Sequence, residues 1–206
     1  MGRDNFFERG SSRKGFSIVE IIISIGVVAA LIFVMGRFSN TISVLDKIIN
    51  QKLQVGSDIV SSLQNFVTDV RSMSPSGAGG FAIESAASSS FVFYSDWDRD
   101  GTTERLRYFF VSSTLSKGII EPTGNPPVYA SSTEKVIIAI PDVVVGSSSF
   151  QYFDSASTGS IPLSSPIDPT AVHMMKIFIT ADISSSTSPK PESFSEIITV
   201  RNLRPN

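Results

Sequence analysis

Cysteine is absent from all 206 residues, which excludes disulfides, thiolate metal centres and a cysteine nucleophile. Histidine occurs once, as His173, so poly-histidine metal sites and a Ser-His-Asp triad are hard to build. Charge is scarce: 17% of residues are charged, where about 25% is usual for a soluble domain. The net charge of -2 leaves no basic footprint, and nucleic-acid binding by the chain as a whole is not expected. Serine, with 36 copies, takes much of the place of charge and suits loops and half-exposed strands. Yet the mean hydropathy is +0.16. A serine-rich chain is apolar on average only if its apolar residues are gathered in one place. The length allows one ordinary domain, or one domain with an appendage.

The apolar residues gather near the start. Residues 1–15 carry Arg3, Arg9, Arg13 and Lys14 against Asp4 and Glu8, a net of +2. Residues 16–36 follow, FSIVEIIISIGVVAALIFVMG, with Glu20 as their single charge. As a helix this run is about 30 Å long, the thickness of a bilayer core. The run reads as a membrane span, and the cationic start places the N-terminus in the cytoplasm. A cleaved secretory signal fits less well, because RFSNTISVLDK after the run offers no clear small-residue cleavage site. A plain signal anchor fits the length but leaves Glu20 unexplained. A carboxylate within a span costs roughly 2.5–3.5 kcal/mol and calls for a partner, unless it snorkels to the interface.

The residues around Glu20 are more specific. Lys14-Gly15-Phe16-Ser17-Ile18-Val19-Glu20 sets a basic residue, a glycine, an aromatic and a glutamate at fixed offsets before an uninterrupted apolar run. This segment resembles the processing site of type IV prepilins and pseudopilins. The resemblance implies that a prepilin peptidase cuts between Gly15 and Phe16 and that Phe16 becomes an N-methylated first residue. It implies that Glu20 pairs with the Phe16 ammonium of a neighbouring subunit during filament assembly. Such a buried carboxylate is tolerable only when paired. The implied partners are the peptidase, other pilin or pseudopilin subunits, an inner-membrane assembly platform and, before assembly, membrane lipid. The implied location is a single-pass inner-membrane protein with its head outside the cytoplasm, later in a filament or at the cell surface.

After Arg37 the pattern stays helical and becomes amphipathic. Ile42, Leu45, Ile49, Leu53, Ile59, Leu63, Phe66, Val70 and Met73 recur at spacings near three or four. Asp46, Lys47, Asn50, Gln51, Gln54, Asp58, Gln64, Asn65 and Asp69 fill the other face. The stop is Ser74-Pro75-Ser76-Gly77. A helix over 16–73 is roughly 87 Å long. Its second half is expected to give its apolar stripe to a head domain; a coiled-coil stalk is the alternative, against which the heptad drifts.

Beyond residue 80 the sequence predicts strands over 81–85, 91–95, 105–112, 114–120, 134–140, 149–153, 173–183 and 195–200, rich in β-branched and aromatic residues. The expected fold class is α+β, of type IV pilin-like kind: a long N-terminal helix, half transmembrane and half amphipathic, packed against an antiparallel sheet. The expected segments are a leader (1–15), a span (16–36), an amphipathic helix (37–74) and a β-rich head (75–206).

One head motif stands out. Two aromatic strands flank Asp96-Trp97-Asp98-Arg99-Asp100-Gly101-Thr102-Thr103-Glu104. The plain reading is a hairpin in which Asp100-Gly101 supplies the turn residues. Asp96, Asp98 and Asp100 followed by Gly101 also match the start of an EF-hand loop, which makes calcium the one cofactor to consider. The match then breaks, because Arg107 stands where the bidentate glutamate belongs; Glu104 is the alternative closing carboxylate. Without an ion, Arg99, Arg105 and Arg107 are expected to relieve the repulsion. The pattern over 91–110, with Gly124-Asn125-Pro126-Pro127-Val128-Tyr129 and closing Val200-Arg201-Asn202, resembles J-type minor pseudopilins and W-type minor pilins. Many of these carry a disulfide; this chain has no cysteine.

No nucleophile–base pair, phosphate loop or carboxylate dyad emerges, so the reading is a non-enzymatic minor pilin or pseudopilin. The alternatives are a signal-anchored extracytoplasmic binding or sensor domain, a minor pilin for DNA uptake or adhesion, and a membrane-anchored hydrolase. His173 and the four tyrosines read as structural, with the tyrosines half-buried in strands.

Overall fold

A computed structural model describes residue 15 and residues 17–157, 159–182 and 191–200. Residues 1–14 of the expected leader, Phe16 and Arg201-Asn202 lie outside the described residues. The protein is α+β. One helix, α1 (Ile18–Arg71), precedes eight strands: β1 (Ile83–Ala86), β2 (Ser90–Ser95), β3 (Glu104–Val111), β4 (Thr114–Ile120), β5 (Lys135–Ile140), β6 (Ser149–Phe153), β7 (Met174–Ala181) and β8 (Glu192–Thr199). The chain divides into two compact units, Met1–Gln51 and Lys52–Asn206, with the boundary inside the helix.

In the first unit, every residue of Ile18–Ser39 is exposed, and this stretch is long and apolar enough to cross a membrane. A single N-terminal helix of this kind fits a single-pass anchor. The exposure of the helix does not stop at its apolar end. Ile42, Leu45, Ile49 and Leu53 are 44–68% exposed. The sequence pattern places these four in the stripe to be buried, and they are exposed instead; the buried part of the stripe lies later, in the second unit.

In that unit Ile59, Leu63, Phe66, Val70 and Met73 are all buried in one core with residues of every strand but β5's outer part. The helix ends at Arg71, two residues before Met73, which forms an isolated antiparallel bridge with Ser95. The strands make two antiparallel sheets where one was expected: a five-stranded meander in the order β1-β2-β3-β4-β5 and a three-stranded meander β6-β7-β8. Phe66 explains how one helix serves both. Its ring lies edge-on to Tyr108 of the first sheet, centroids 4.8 Å apart, and 5.9 Å from Phe150 of the second. Phe110 and Phe150 also meet directly, at 5.0 Å. Aromatic pairs in such offset and tilted arrangements contribute about 0.5–1.5 kcal/mol beyond their buried area.

Strand alternation sets which charges can meet. In β3 the inward residues are Glu104, Leu106, Tyr108 and Phe110, and the outward ones are Arg105, Arg107 and Phe109. Arg105 makes a two-pronged ion pair with Glu84 of β1, at 2.6 and 2.7 Å. Arg107 does the same with Glu134, at 2.8 and 2.6 Å, and its guanidinium lies 3.9 Å from the Phe109 ring centroid. Glu134 reaches Arg107 across β4 only because residue 118 is glycine; a Cβ there would overlap its carboxylate. These arginines hold the Glu84 and Glu134 carboxyls below the usual carboxylate range.

Among the described residues the interior holds one charged pair. Asp69, which the helical pattern places on the polar face, is 6% exposed. Its Oδ2 accepts from Lys117 Nζ at 2.5 Å and from Tyr108 Oη at 2.6 Å. Tyr108 and Lys117 are cross-strand partners, so the register of β3 on β4 delivers both donors to one carboxylate. Burial and the Asp69 charge push the Tyr108 hydroxyl far above its ordinary pKa. Tyr108 and Tyr152 are fully buried rather than half-buried, while Tyr94 and Tyr129 are intermediate.

A charged pair in a core is not itself a large gain, but stripping one partner leaves an uncompensated buried charge. Lys117→Met is therefore expected to lower stability by about 3–5 kcal/mol. Asp69→Asn on that background recovers most of the loss, because the neutral amide still accepts from Tyr108. Chemical denaturation of the full chain in detergent, followed by Trp97 fluorescence, measures both.

Candidate functional site

Two regions carry the residues that the sequence singles out. The first is the start of α1. Gly15 is exposed, and no atom beyond its chain neighbours would touch a Cβ built there. Ser17 precedes the helix, and its carbonyl accepts the amides of Glu20 (3.0 Å) and Ile21 (3.2 Å). Glu20 lies in the first turn, exposed, where the helix dipole favours a carboxylate. Ser17-x-x-Glu20 has the spacing of a capping box. Phe16 lies outside the described residues, so the distance from its nitrogen to Glu20 is not part of this geometry.

The second region is the loop 96–103 between β2 and β3. The strands pair from Ser90↔Phe109 to Ser95↔Glu104, which makes the hairpin. Its turn is a wide loop in which Arg99 and Gly101 both take positive φ, 63° and 89°. Gly101 meets that requirement without strain. The carboxylates organise the loop from within. Asp96 Oδ2 accepts from the Gly101 amide at 3.1 Å, Asp98 Oδ1 from the Asp100 amide at 3.3 Å and Asp100 Oδ1 from the Thr102 amide at 2.7 Å. Thr103 then ties the loop outward. Its carbonyl accepts from Tyr129 Oη at 2.8 Å, and its hydroxyl lies 3.3 Å from that of Ser74, just past α1. Ser95, at the start of the loop, donates to the carbonyl of Asp69 and meets the Ser72 hydroxyl at 2.7 Å.

Asp96, Asp98 and Glu104 converge, with one oxygen from each within 4.8 Å of the others. Asp100 is not in that group. The arginines expected to neutralise the loop do not do so: Arg105 and Arg107 leave from the opposite face of β3 and are engaged by Glu84 and Glu134. Among the described residues no ion pair joins Arg99 to these carboxylates. Burial raises the Glu104 carboxyl to about 7, and the charges of Asp98 and Asp100 add to the effect, against a backbone hydrogen bond from Trp97. Trp97 is 41% exposed, and its ring lies over Lys117, with Nζ 4.4 Å from the centroid.

His173 lines a depression of about 630 Å³ with Asp154, Ser155 and Ser157. Those are the residue types of a hydrolytic triad, but the geometry is different. Asp154 Oδ1 accepts the amides of Ala156 and Ser157, and the Ser157 hydroxyl is directed to the carbonyl of Ile161. No protein-family model matches the chain, and no curated protein matches it in sequence.

The raised Glu104 carboxyl has a signed consequence in chelator. Its folded pKa lies above the ordinary 4.5, so its contribution to stability is fully present below that value and is lost as pH rises through about 7. The melting temperature in EDTA is expected to fall over this window in the wild type. Glu104→Gln removes that part of the dependence. Differential scanning calorimetry across the window tests it; identical profiles for the two proteins would refute it.

Proposed function

We propose that the chain is the precursor of a non-enzymatic, type IV pilin-like filament subunit, a minor pilin or pseudopilin. The observation that carries this reading is the conjunction at the N-terminus: glycine, aromatic and glutamate at fixed offsets, leading directly into a wholly exposed apolar helix. A prepilin peptidase on the cytoplasmic side removes residues 1–15, leaving a mature chain of net charge -4, the -2 of the whole less the +2 of the leader.

The exposed apolar residues past the span support the same reading. A simple anchor needs about 20 apolar residues. Here Ile42, Leu45, Ile49 and Leu53 continue the exposure beyond Ser39. In a filament these residues have neighbours, namely the same helix of adjacent subunits. Moving such a helix from lipid into a filament core exchanges one apolar surrounding for another, so burial alone gives little direction. A carboxylate that meets an ammonium in that setting supplies direction, because an unpaired charge there is unfavourable and a paired one is not. Glu20 and the new terminus at Phe16 fill these roles, with the inner-membrane assembly platform and other subunits as partners.

A second reading, a signal-anchored extracytoplasmic domain, draws on the Ser17–Glu20 spacing, which gives Glu20 a purpose without any filament. The two separate cleanly. Glutamine preserves the capping-box chemistry and removes the charge. We expect mass spectrometry of membrane-extracted protein to find N-methyl-Phe16 at the terminus in the wild type and an uncut chain for Gly15→Ala. Glu20→Gln and Glu20→Ala are both expected to be cut yet to fail to enter filaments. A chain that keeps Met1 in cells with an active prepilin peptidase sinks the proposal. Filament entry by Glu20→Gln removes the ion-pair role.

A further inference from the structure

We propose that Asp96, Asp98 and Glu104 bind a single divalent cation of the calcium type, which closes the β2–β3 loop. Asp100, the third aspartate of the sequence pattern, serves the loop backbone instead. This inference does not depend on the filament reading.

Acidic loops are common on surfaces, and convergence of carboxylates alone would mean little. Two further observations separate this loop from a solvated one. Glu104 is 2% exposed, on the core-facing side of β3, and its carboxylate accepts from the backbone amide of Trp97 at 3.3 Å. Asp96 Oδ1 is fully shielded from solvent and takes no hydrogen bond, the one such side-chain atom among the described residues. A shielded carboxylate oxygen without a donor is unfavourable. Its position beside two more carboxylates makes a hydrogen-bond donor a poor remedy and a hard cation a good one.

The dimensions agree. Calcium takes oxygen ligands at 2.3–2.6 Å, so opposite ligands on one ion are about 5 Å apart. The three oxygens lie within 4.8 Å of one another, inside that span. Three carboxylates from one loop leave room for water and backbone carbonyls to complete the 6–8 ligands usual for this ion. Glu104 differs from an EF-hand closing ligand in origin: it sits on a strand at the ninth position of the pattern, already placed by the pairing of Ser95 with Glu104. The cation would therefore join the loop to a fixed point of the sheet. Through Thr103 and Ser95 it would also stiffen the contacts that hold the end of α1.

Trp97, the sole tryptophan, lies inside the loop and makes the test direct. Terbium(III), a luminescent substitute for calcium, is titrated into the full chain in detergent micelles with excitation through Trp97. Sensitised emission that calcium displaces is expected, together with a rise in melting temperature at millimolar calcium. Glu104→Gln and Asp96→Asn are each expected to weaken calcium binding at least about tenfold, and Asp100→Asn less than about threefold. Asp154→Asn, outside the loop, is expected to leave binding unchanged. Glu104→Gln should melt in EDTA at or above the wild-type temperature, which separates lost binding from lost folding. Absence of sensitised emission at millimolar ion overturns the proposal. So does an unchanged affinity in Glu104→Gln or Asp96→Asn, or a loss in Asp100→Asn as large as theirs.

Discussion

The carboxylate of Asp69 is the point on which the head depends. It is the only helix charge among the described residues that is drawn into the core, and it is met there by the ammonium of Lys117 and the hydroxyl of Tyr108. Apolar contacts at Ile59, Leu63, Phe66 and Val70 would tolerate some sliding of helix over sheet. A carboxylate with two fixed donors would not, because a shift strands buried charge in a medium that solvates it poorly. The pair thus specifies where the helix lies more than it adds net stability. Its neighbours follow from it: Ser95 binds the Asp69 carbonyl, Trp97 packs on Lys117, and the acidic loop is held between them.

This arrangement takes the place of covalent bracing. A head of this size without cysteine has only packing, ion pairs and any bound ion to hold loops to strands. The outward arginines of β3 work in the same way at the sheet surface. Arg105 clamps β3 to β1, and Arg107 clamps β3 to the residue just before β5, each through a paired guanidinium–carboxylate contact more directional than a lysine pair at the same place. The Lys135–Glu121 pair is exposed on both sides and contributes little by comparison.

Much of this fold was legible in the residues. All eight predicted strands exist within a residue or a few of their expected limits, because β-branched and aromatic runs bounded by Ser, Gly and Pro leave little choice. The helix was equally plain. What periodicity could not show was where the partner of the stripe ends: Leu53 and Ile59 look alike in sequence, yet one is exposed and the other buried. It also could not show that the strands part into two sheets, since that depends on how far Phe66 reaches between them. The inward position of Glu104 was readable from the alternation over 104–110, which puts Arg105 and Arg107 on the other face. Compositional reasoning about charge in the loop passed over that geometry. Asp69 was unreadable for a different reason: a helical polar face does not reveal which of its members finds a lysine from a strand 48 residues away.

The order of the strands has a consequence for how the head forms. Every neighbouring pair in both sheets joins strands that are consecutive in the chain. Four of the six pairings close loops of ten residues or fewer, at small cost in entropy, while residues 121–134 and 154–173 make longer connections, and the sheets can grow in the order in which the chain arrives. The distant closures are those of the two sheets on each other, as where the Phe150 amide donates to the Ser88 carbonyl, and on the buried stripe that starts at Ile59, which is made before any strand. A chain delivered vectorially from its N-terminus would present the docking stripe first and complete it last. The carboxylate of Asp69 is thus in the chain before either of its donors, Tyr108 and Lys117.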